Sequence, residues 1–333
     1  FLIKITKKTQ EEAMKKFVKI LLTCILTLIT VIPSFAAKGA ENWPSKPVII
    51  TVPWAVGGLA DQANRALSQY GKKYLGQPIV PENKIGAGGV VALTEYLRER
   101  PNSNKLIYGG EGNFAIGPLF NPVPFKWEQF SPVINIYKSN FVMVANPKTN
   151  IKSLNDLKEY GKNNKVIFAV AGLNSSEYLM ISALLSEMGL NYEGVSFNGA
   201  NEAMNATLAG DTVIGITHAS LAKEFVKAER LNPVVVFDEK PLKDEVYNLE
   251  SVGDYGYDTF LVNRCILLMP AGTDPQVIDK MYKAVLQIFE EPGFKETAAN
   301  LGLTLDPLSP SECDAHIKES TEKAKRFYNM IKK

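Results

Sequence analysis

Val52-Pro53-Trp54-Ala55-Val56-Gly57-Gly58-Leu59-Ala60-Asp61 reads as the end of a β-strand, a loop with two adjacent glycines and the start of a helix. Upstream, Pro47-Val48-Ile49-Ile50-Thr51-Val52 has the β-branched run of a buried strand. Downstream, Ala63, Leu67, Tyr70 and Tyr74 recur at helical spacing, which predicts one helix from Leu59 to Tyr74 closed by Gly76. Glycines let backbone N–H groups turn toward a ligand, and a helix start favours negative charge. Pro53, Trp54, Ala55, Gly57, Gly58 and Asp61 are therefore candidate anion-binding residues, with plain turn geometry as the alternative reading.

The same grammar recurs further along. Val166 to Val170 runs into Ala171-Gly172-Leu173-Asn174-Ser175-Ser176, followed by a helix with Tyr178, Ile181, Leu185 and Met188 on one face before Gly189. Gly172, Asn174, Ser175 and Ser176 are the second candidate group; the two serines either cap the helix or hold a carboxylate. Ligands of open α/β sheets bind beyond the C-terminal ends of strands, where both loops fall. Two such helix starts suit a molecule with a carboxylate at one or both ends. His218, at the end of the run Gly215-Ile216-Thr217, is a cleft candidate or a partly buried polar side chain. Glu111 and Asn113, just after the strand Leu106-Ile107-Tyr108, are acceptor-rich cleft candidates that favour an amino or hydroxyl group on the ligand, unless Glu111 is solvated at the surface.

Further strands are expected near Ile79-Val80, Phe141 to Val144, Val213 to Ile216, Val234 to Val236 and Cys265 to Met269, alternating with helices of similar length. That order predicts α/β layers with mostly parallel strands. Boundary signals at Asn146-Pro147 and Val262-Asn263 divide the chain into a discontinuous lobe 1, residues 44–144 and 264–333, and a lobe 2, residues 145–263. Two crossings make a hinge, and a hinge between two lobes makes a cleft that closes on a ligand.

The amino-terminal stretch has a different character. Met14-Lys15-Lys16, the apolar run Phe17 to Ile32 and Pro33-Ser34-Phe35-Ala36 read as a secretory signal over 14–36 with cleavage near Ala36. Residues 1–13 read as upstream translation artefact. Thr23 before Cys24, and an apolar run that continues past it, argue against lipid attachment. The first 36 residues hold six Lys and two Glu; without them 31 basic residues face 33 acidic ones, a net charge of about −2. No basic stripe remains to attract nucleic acid. Two His in all exclude a His-rich metal site, and no cofactor motif stands out. Ile85-Gly86-Ala87-Gly88-Gly89 lacks the dinucleotide spacing, and no Gly-x-Ser-x-Gly elbow is present, so a receptor is expected rather than an enzyme. Cys265 and Cys313 are expected as separate thiols.

In these loops the chain resembles the periplasmic solute-binding subunits of tripartite tricarboxylate transporters. The resemblance is carried in order by Trp43-Pro44, Lys46-Pro47, Pro53 to Asp61, Gly76-Gln77-Pro78, Glu82-Asn83 with Gly86 to Gly89, and Phe197-Asn198-Gly199. It continues through Leu208-Ala209-Gly210-Asp211 and Pro270-Ala271-Gly272-Thr273-Asp274-Pro275. It implies a type II, Venus-flytrap periplasmic binding protein whose first and second loops grip a carboxylate, with Asn198, Gly199 and the segment around His218 at the deep end. It also implies a monomeric receptor serving a membrane permease of two unequal subunits; a sensory module for a two-component system is the alternative. The chain departs from the family at Asn198, where a lysine is common, and at Glu177, where a histidine is common, so ligand identity does not transfer.

Overall fold

The computed structural model describes residues 42–197 and 199–332. The signal reading over 14–36, the reading of 1–13, Cys24 and Asn198 lie outside the described residues. Compact unit Pro44–Lys333 carries everything below. It contains two five-stranded sheets and a short hairpin, with helices packed on the sheets.

The first sheet takes the order β2-β1-β3-β12-β4, from β1 (Val48–Val52), β2 (Ile79–Asn83), β3 (Lys105–Gly109), β4 (Phe130–Ser139) and β12 (Asn263–Pro270). The second takes the order β7-β6-β8-β5-β9, from β5 (Phe141–Ala145), β6 (Val166–Val170), β7 (Tyr192–Ser196), β8 (Ile214–His218) and β9 (Asn232–Phe237). The hairpin pairs β10 (Leu242–Lys243) with β11 (Asn248–Leu249). In each sheet one strand runs against the rest: β12 is antiparallel to β3 and β4, and β5 is antiparallel to β8 and β9. Apolar runs such as Val48, Ile50 and Val52 or Val166, Phe168, Ala169 and Val170 are buried because helices cover both faces. The mostly parallel, two-sheet architecture is as expected.

Four details differ from the sequence reading. Phe141–Ala145 belongs wholly to the second sheet, so the chain changes sheets at Asn140 instead of after residue 144. The Asn146-Pro147 signal is a capped turn that follows β5 of the second sheet: Asn146 Oδ1 accepts from Lys148 N at 2.9 Å and its Nδ2 donates to Thr207 O at 2.8 Å. The expected helix Leu59 to Tyr74 is two, α1 (Leu59–Ser68) and α2 (Gly71–Leu75), with Gly76 left-handed at its end. The break seats Gly71 against Ile79, where an added Cβ would lie 2.7 Å from the Ile79 nitrogen. β4, the longest strand, was not expected, since Pro132 and Asn135 interrupt its pattern. As an edge strand it tolerates both; Asn135 uses its outer side to bond Leu308 O and Asp306 O.

The remaining helices are α3 (Val90–Arg98), α4 (Gly117–Phe120), α5 (Leu154–Gly161), α6 (Ser176–Glu187), α7 (Ala200–Ala209), α8 (Ala219–Lys227), α9 (Pro275–Phe289), α10 (Pro292–Asn300) and α11 (Pro310–Ile331). α11 opens with a Ser309–Glu312 capping box and runs for 22 residues. Cys313 and Ile317 join the first sheet's core with Ile266 and Leu268, while Ala324 and Phe327 join the second sheet's core with Phe141 and Phe168. The last helix thus serves both sheets rather than lobe 1 alone, because its apolar positions keep a three-to-four spacing along its whole length. Cys265 and Cys313 are free and buried.

A buried polar knot fixes the start of β12. Glu111, 1% exposed, accepts from Arg264 N at 3.0 Å and from His316 Nε2. Arg264 reaches His316 Nδ1 at 3.1 Å and Asp306 Oδ2 at 2.7 Å. A guanidinium only donates, so Nδ1 accepts and the His316 proton sits on Nε2, facing Glu111. His316→Ala removes that donor from a buried carboxylate and is expected to cost about 3 kcal/mol by chemical denaturation. His316→Gln, which restores an N–H at that distance, is expected to recover a large part; equal losses for both variants would show that the bond to Glu111 is not what stabilises the knot.

Candidate functional site

The pairing registers bring the C-terminal edges of the two sheets together. β4 runs in the direction of β1 and β3, so it ends at Ser139 on the same edge from which residues 53–58 and 110–113 leave. One residue later β5 begins with Phe141 opposite His218, the last residue of β8. β8 is parallel to β6, which is parallel to β7, so residues 171–175 and Gly199 leave that same edge of the second sheet. Asn263, first residue of β12, pairs with Ser139 at the return crossing. Asn263 Nδ2 donates to Ser139 Oγ at 2.9 Å, and Ser139 Oγ lies 3.2 Å from His218 Nδ1. The candidate loops therefore open toward one space between the sheets, bounded at its base by the crossings.

On the first loop Pro53 is buried, Trp54 half-buried, and Ala55, Val56, Gly57 and Gly58 exposed. Gly57 is left-handed at φ 81°, a conformation that favours glycine. Its N–H donates to Asp61 Oδ2 at 2.8 Å, and Gly58 N donates to Ala55 O at 3.2 Å. Asp61 is buried and bonded by Arg65 Nε at 2.9 Å. Burial alone would raise its carboxyl; the Arg65 guanidinium and the Gly57 N–H outweigh that and hold it below the ordinary range. Asp61 thus braces the loop from inside. Gly58 caps α1 with extended dihedrals and no side-chain hydrogen bond, which leaves the head of α1 without a side-chain acceptor from its cap.

The second loop differs. Gly172 has φ 130°, and Ser175 Oγ donates to Gly172 O at 2.8 Å while accepting from Tyr178 N at 3.1 Å. Ser175 is therefore the cap of α6, the plainer of its two expected roles. Asn174 is exposed and Ser176, the first helical residue, half-exposed. Glu177 follows; its carboxyl lies against its own backbone N–H and the Ser175 hydroxyl, and burial raises it above the ordinary value. Gly199 heads α7 with open space around a notional Cβ. His218 stacks on Phe141 with ring centroids 4.4 Å apart, and burial pushes its pKa down to about 4, so the ring is neutral at neutral pH.

Asn113 joins the first loop: its Nδ2 donates to Gly88 O at 2.8 Å, and a Cβ on Gly89 would crowd both Asn113 and Pro53. Glu111 does not join them. It is neither solvated nor directed at a ligand, being held by Arg264 and His316. Sequence reasoning missed Asn83, which donates to Trp54 O at 3.2 Å and accepts from Arg65 at 3.3 Å, and missed the Ser139–Asn263 pair beneath His218. Asn83 carried a signal, as the last residue of the strand beside β1. Among the described residues no group of three His, Cys, Asp or Glu is placed to hold a metal ion.

Comparison with known proteins agrees with this geometry. BugT of Bordetella pertussis is 24% identical over 294 residues, covering 86% of this chain and 90% of BugT. A TctC solute-binding protein from Polaromonas superposes with a TM-score of 0.75 at 18% identity, covering 87% of this chain and 99% of that one. MatC of Rhodopseudomonas palustris, solved with bound malate, superposes with a TM-score of 0.69 at 23% identity, covering 87% of this chain and all of MatC. The fold is that of periplasmic binding proteins, which are solute receptors and not enzymes. Residues 63–333 match the tripartite tricarboxylate transporter family receptor, and the chain belongs to that family.

Proposed function

We propose that this protein is an exported, monomeric receptor that captures a small carboxylate between its two sheets and delivers it to a tripartite tricarboxylate-type membrane permease of two unequal subunits. We assign one lobe to each sheet, with the hinge at Asn140 and at the return into Asn263. The observation that carries the reading is the meeting of a cap-free helix start at Gly58 with the loops of β6, β7 and β8 on one shared edge. Helix-start amides attract an anion without a cationic side chain. MatC, a relative of the same fold, was solved with malate bound, which supports a carboxylate as the class of ligand.

A thermal-shift series with mono-, di- and tricarboxylates, on ligand-stripped protein lacking residues 1–36, tests capture. A true ligand at a hundred times its Kd adds about 2.7 kcal/mol to unfolding. Stabilisation by sugars but by no carboxylate would sink the proposal. Delivery is tested by uptake of the identified acid in cells with and without the receptor gene.

Gly58→Val separates site from scaffold. The backbone there, φ −71° and ψ 167°, accepts valine, and the new Cβ would meet only Ala55 O at 3.2 Å. Ligand-free stability is expected to change by less than about 1 kcal/mol while ligand-induced stabilisation disappears. A variant that binds normally would remove the first loop from the site.

A further inference from the structure

The loops that leave β1, β3, β6, β7 and β8 contain no lysine or arginine between residues 53 and 58, 110 and 113, 171 and 175, or 197 and 199, and α8 begins directly after His218 with Ala219-Ser220. His218 brings no positive charge at neutral pH. Several carboxyl groups lie at this edge, in very different circumstances; Asp238, which follows β9, stands 3.7 Å from Lys138. Asp61 is locked to Arg65 and the Gly57 N–H, and Glu111 to Arg264 and His316. Glu177 stands on the second loop's helix with no cation against it: the groups around its carboxyl are its own backbone N–H and the Ser175 hydroxyl. It is half-buried in the first turn of α6, beside the capping Ser175.

This asymmetry gives the cleft a polarity. At the first loop the head of α1 has no side-chain cap, and the carboxylate in its first turn, Asp61, is paired with Arg65 at 2.9 Å, so an incoming carboxylate meets amide dipoles without an unpaired negative charge beside them. At the second loop the head of α6 is already covered by a carboxyl of the protein's own. A second ligand carboxylate placed there would face Glu177 in a partly dry site with no counter-charge, where like charges repel strongly. A hydroxyl or ammonium group placed there would instead find an acceptor. Leu173 and Val56, exposed on the second and first loops, offer apolar surface for the carbons between.

We propose that Glu177 is the specificity-determining residue of this receptor: it selects a carboxylate that carries a hydroxyl or amino donor at its far end and rejects an acid with a carboxylate at both ends. The inference rests on the carboxylate-capture reading above and gives the ligand an orientation, with its carboxylate toward Gly58 and its donor toward Glu177. A neutral Glu177 can donate a hydrogen bond, so discrimination is strongest when the residue is ionised. Because burial raises this carboxyl, discrimination fades as pH falls toward the acid range, earlier than an unperturbed glutamate would allow.

The test uses matched pairs, succinate against 4-aminobutyrate and 4-hydroxybutyrate, adipate against 6-aminohexanoate, with Kd from calorimetry on the ligand-stripped receptor. At about pH 8 the donor-ended acid of a binding pair is expected to win by about tenfold or more, and the gap to shrink at about pH 5. Glu177→Gln is expected to narrow the gap at high pH and to reduce the pH dependence of the ratio to the part set by the diacid's own second ionisation, with an unchanged melting temperature as its fold control. Should the variant fail to fold, the wild-type ranking at about pH 8, where every acid is fully ionised, decides alone. Diacids that bind as tightly as their partners at high pH, or a Glu177→Gln ratio with the wild-type value and pH profile, overturn the inference. Absence of binding by every acid overturns the capture reading itself, a distinct result.

Discussion

Everything in the cleft depends on how the chain passes from one sheet to the other. A single residue, Asn140, separates the end of β4 from the start of β5, which leaves no slack for a loop. Ser139 and Phe141 must therefore lie on the two adjoining edges, and the register of each with its neighbour decides which ends of the parallel strands meet. The hydrogen bonds from Asn263 to Ser139 and between Ser139 and His218 hold the return crossing at the same place. Had β5 paired with β8 one residue out of step, every side chain of β5 would have changed faces. The loops would then have lost their common opening.

Given that frame, the attraction for an anion at the head of α1 comes from the backbone. Protein cations near the edge are committed elsewhere: Arg65 to Asp61 and Asn83, Arg264 to Asp306 and His316. Amide dipoles at a helix head are fixed by the fold and cost no side-chain ordering when an anion arrives, which suits a receptor that must also release its cargo. The buried Glu111–His316–Arg264 knot contributes to this by anchoring β12, with no group left over for the ligand.

Much of this was legible in the sequence. The Gly57-Gly58 and Gly172 loops, the mostly parallel sheets and the return to the first sheet near Asn263 follow from strand-to-helix grammar, which is local. Less legible was whatever depended on partners distant in sequence. Glu111 looked like a surface or cleft acceptor because its partners lie 153 and 205 positions away. The Asn146-Pro147 signal looked like a linker because a capping turn and a domain boundary use the same residues. β4 was hidden by Pro132 and Asn135, whose acceptability follows only from its place at a sheet edge.

The two sheets share one strand plan but not one chain history. All strands of the second sheet lie within the continuous stretch from Phe141 to Phe237. The first sheet is different: β12 is inserted between β3 and β4, neighbours in sequence that never pair, and it arrives from beyond residue 262. A chain emerging from its amino terminus can therefore complete the second sheet while the first still has a gap in its middle. During that interval β3 and β4 both present unpaired edges, and such edges invite wrong pairing. The long closure from Glu111 to Arg264 makes this the entropically costly step of folding, and it places the last-formed contacts of the molecule beside the crossing on which the cleft is built.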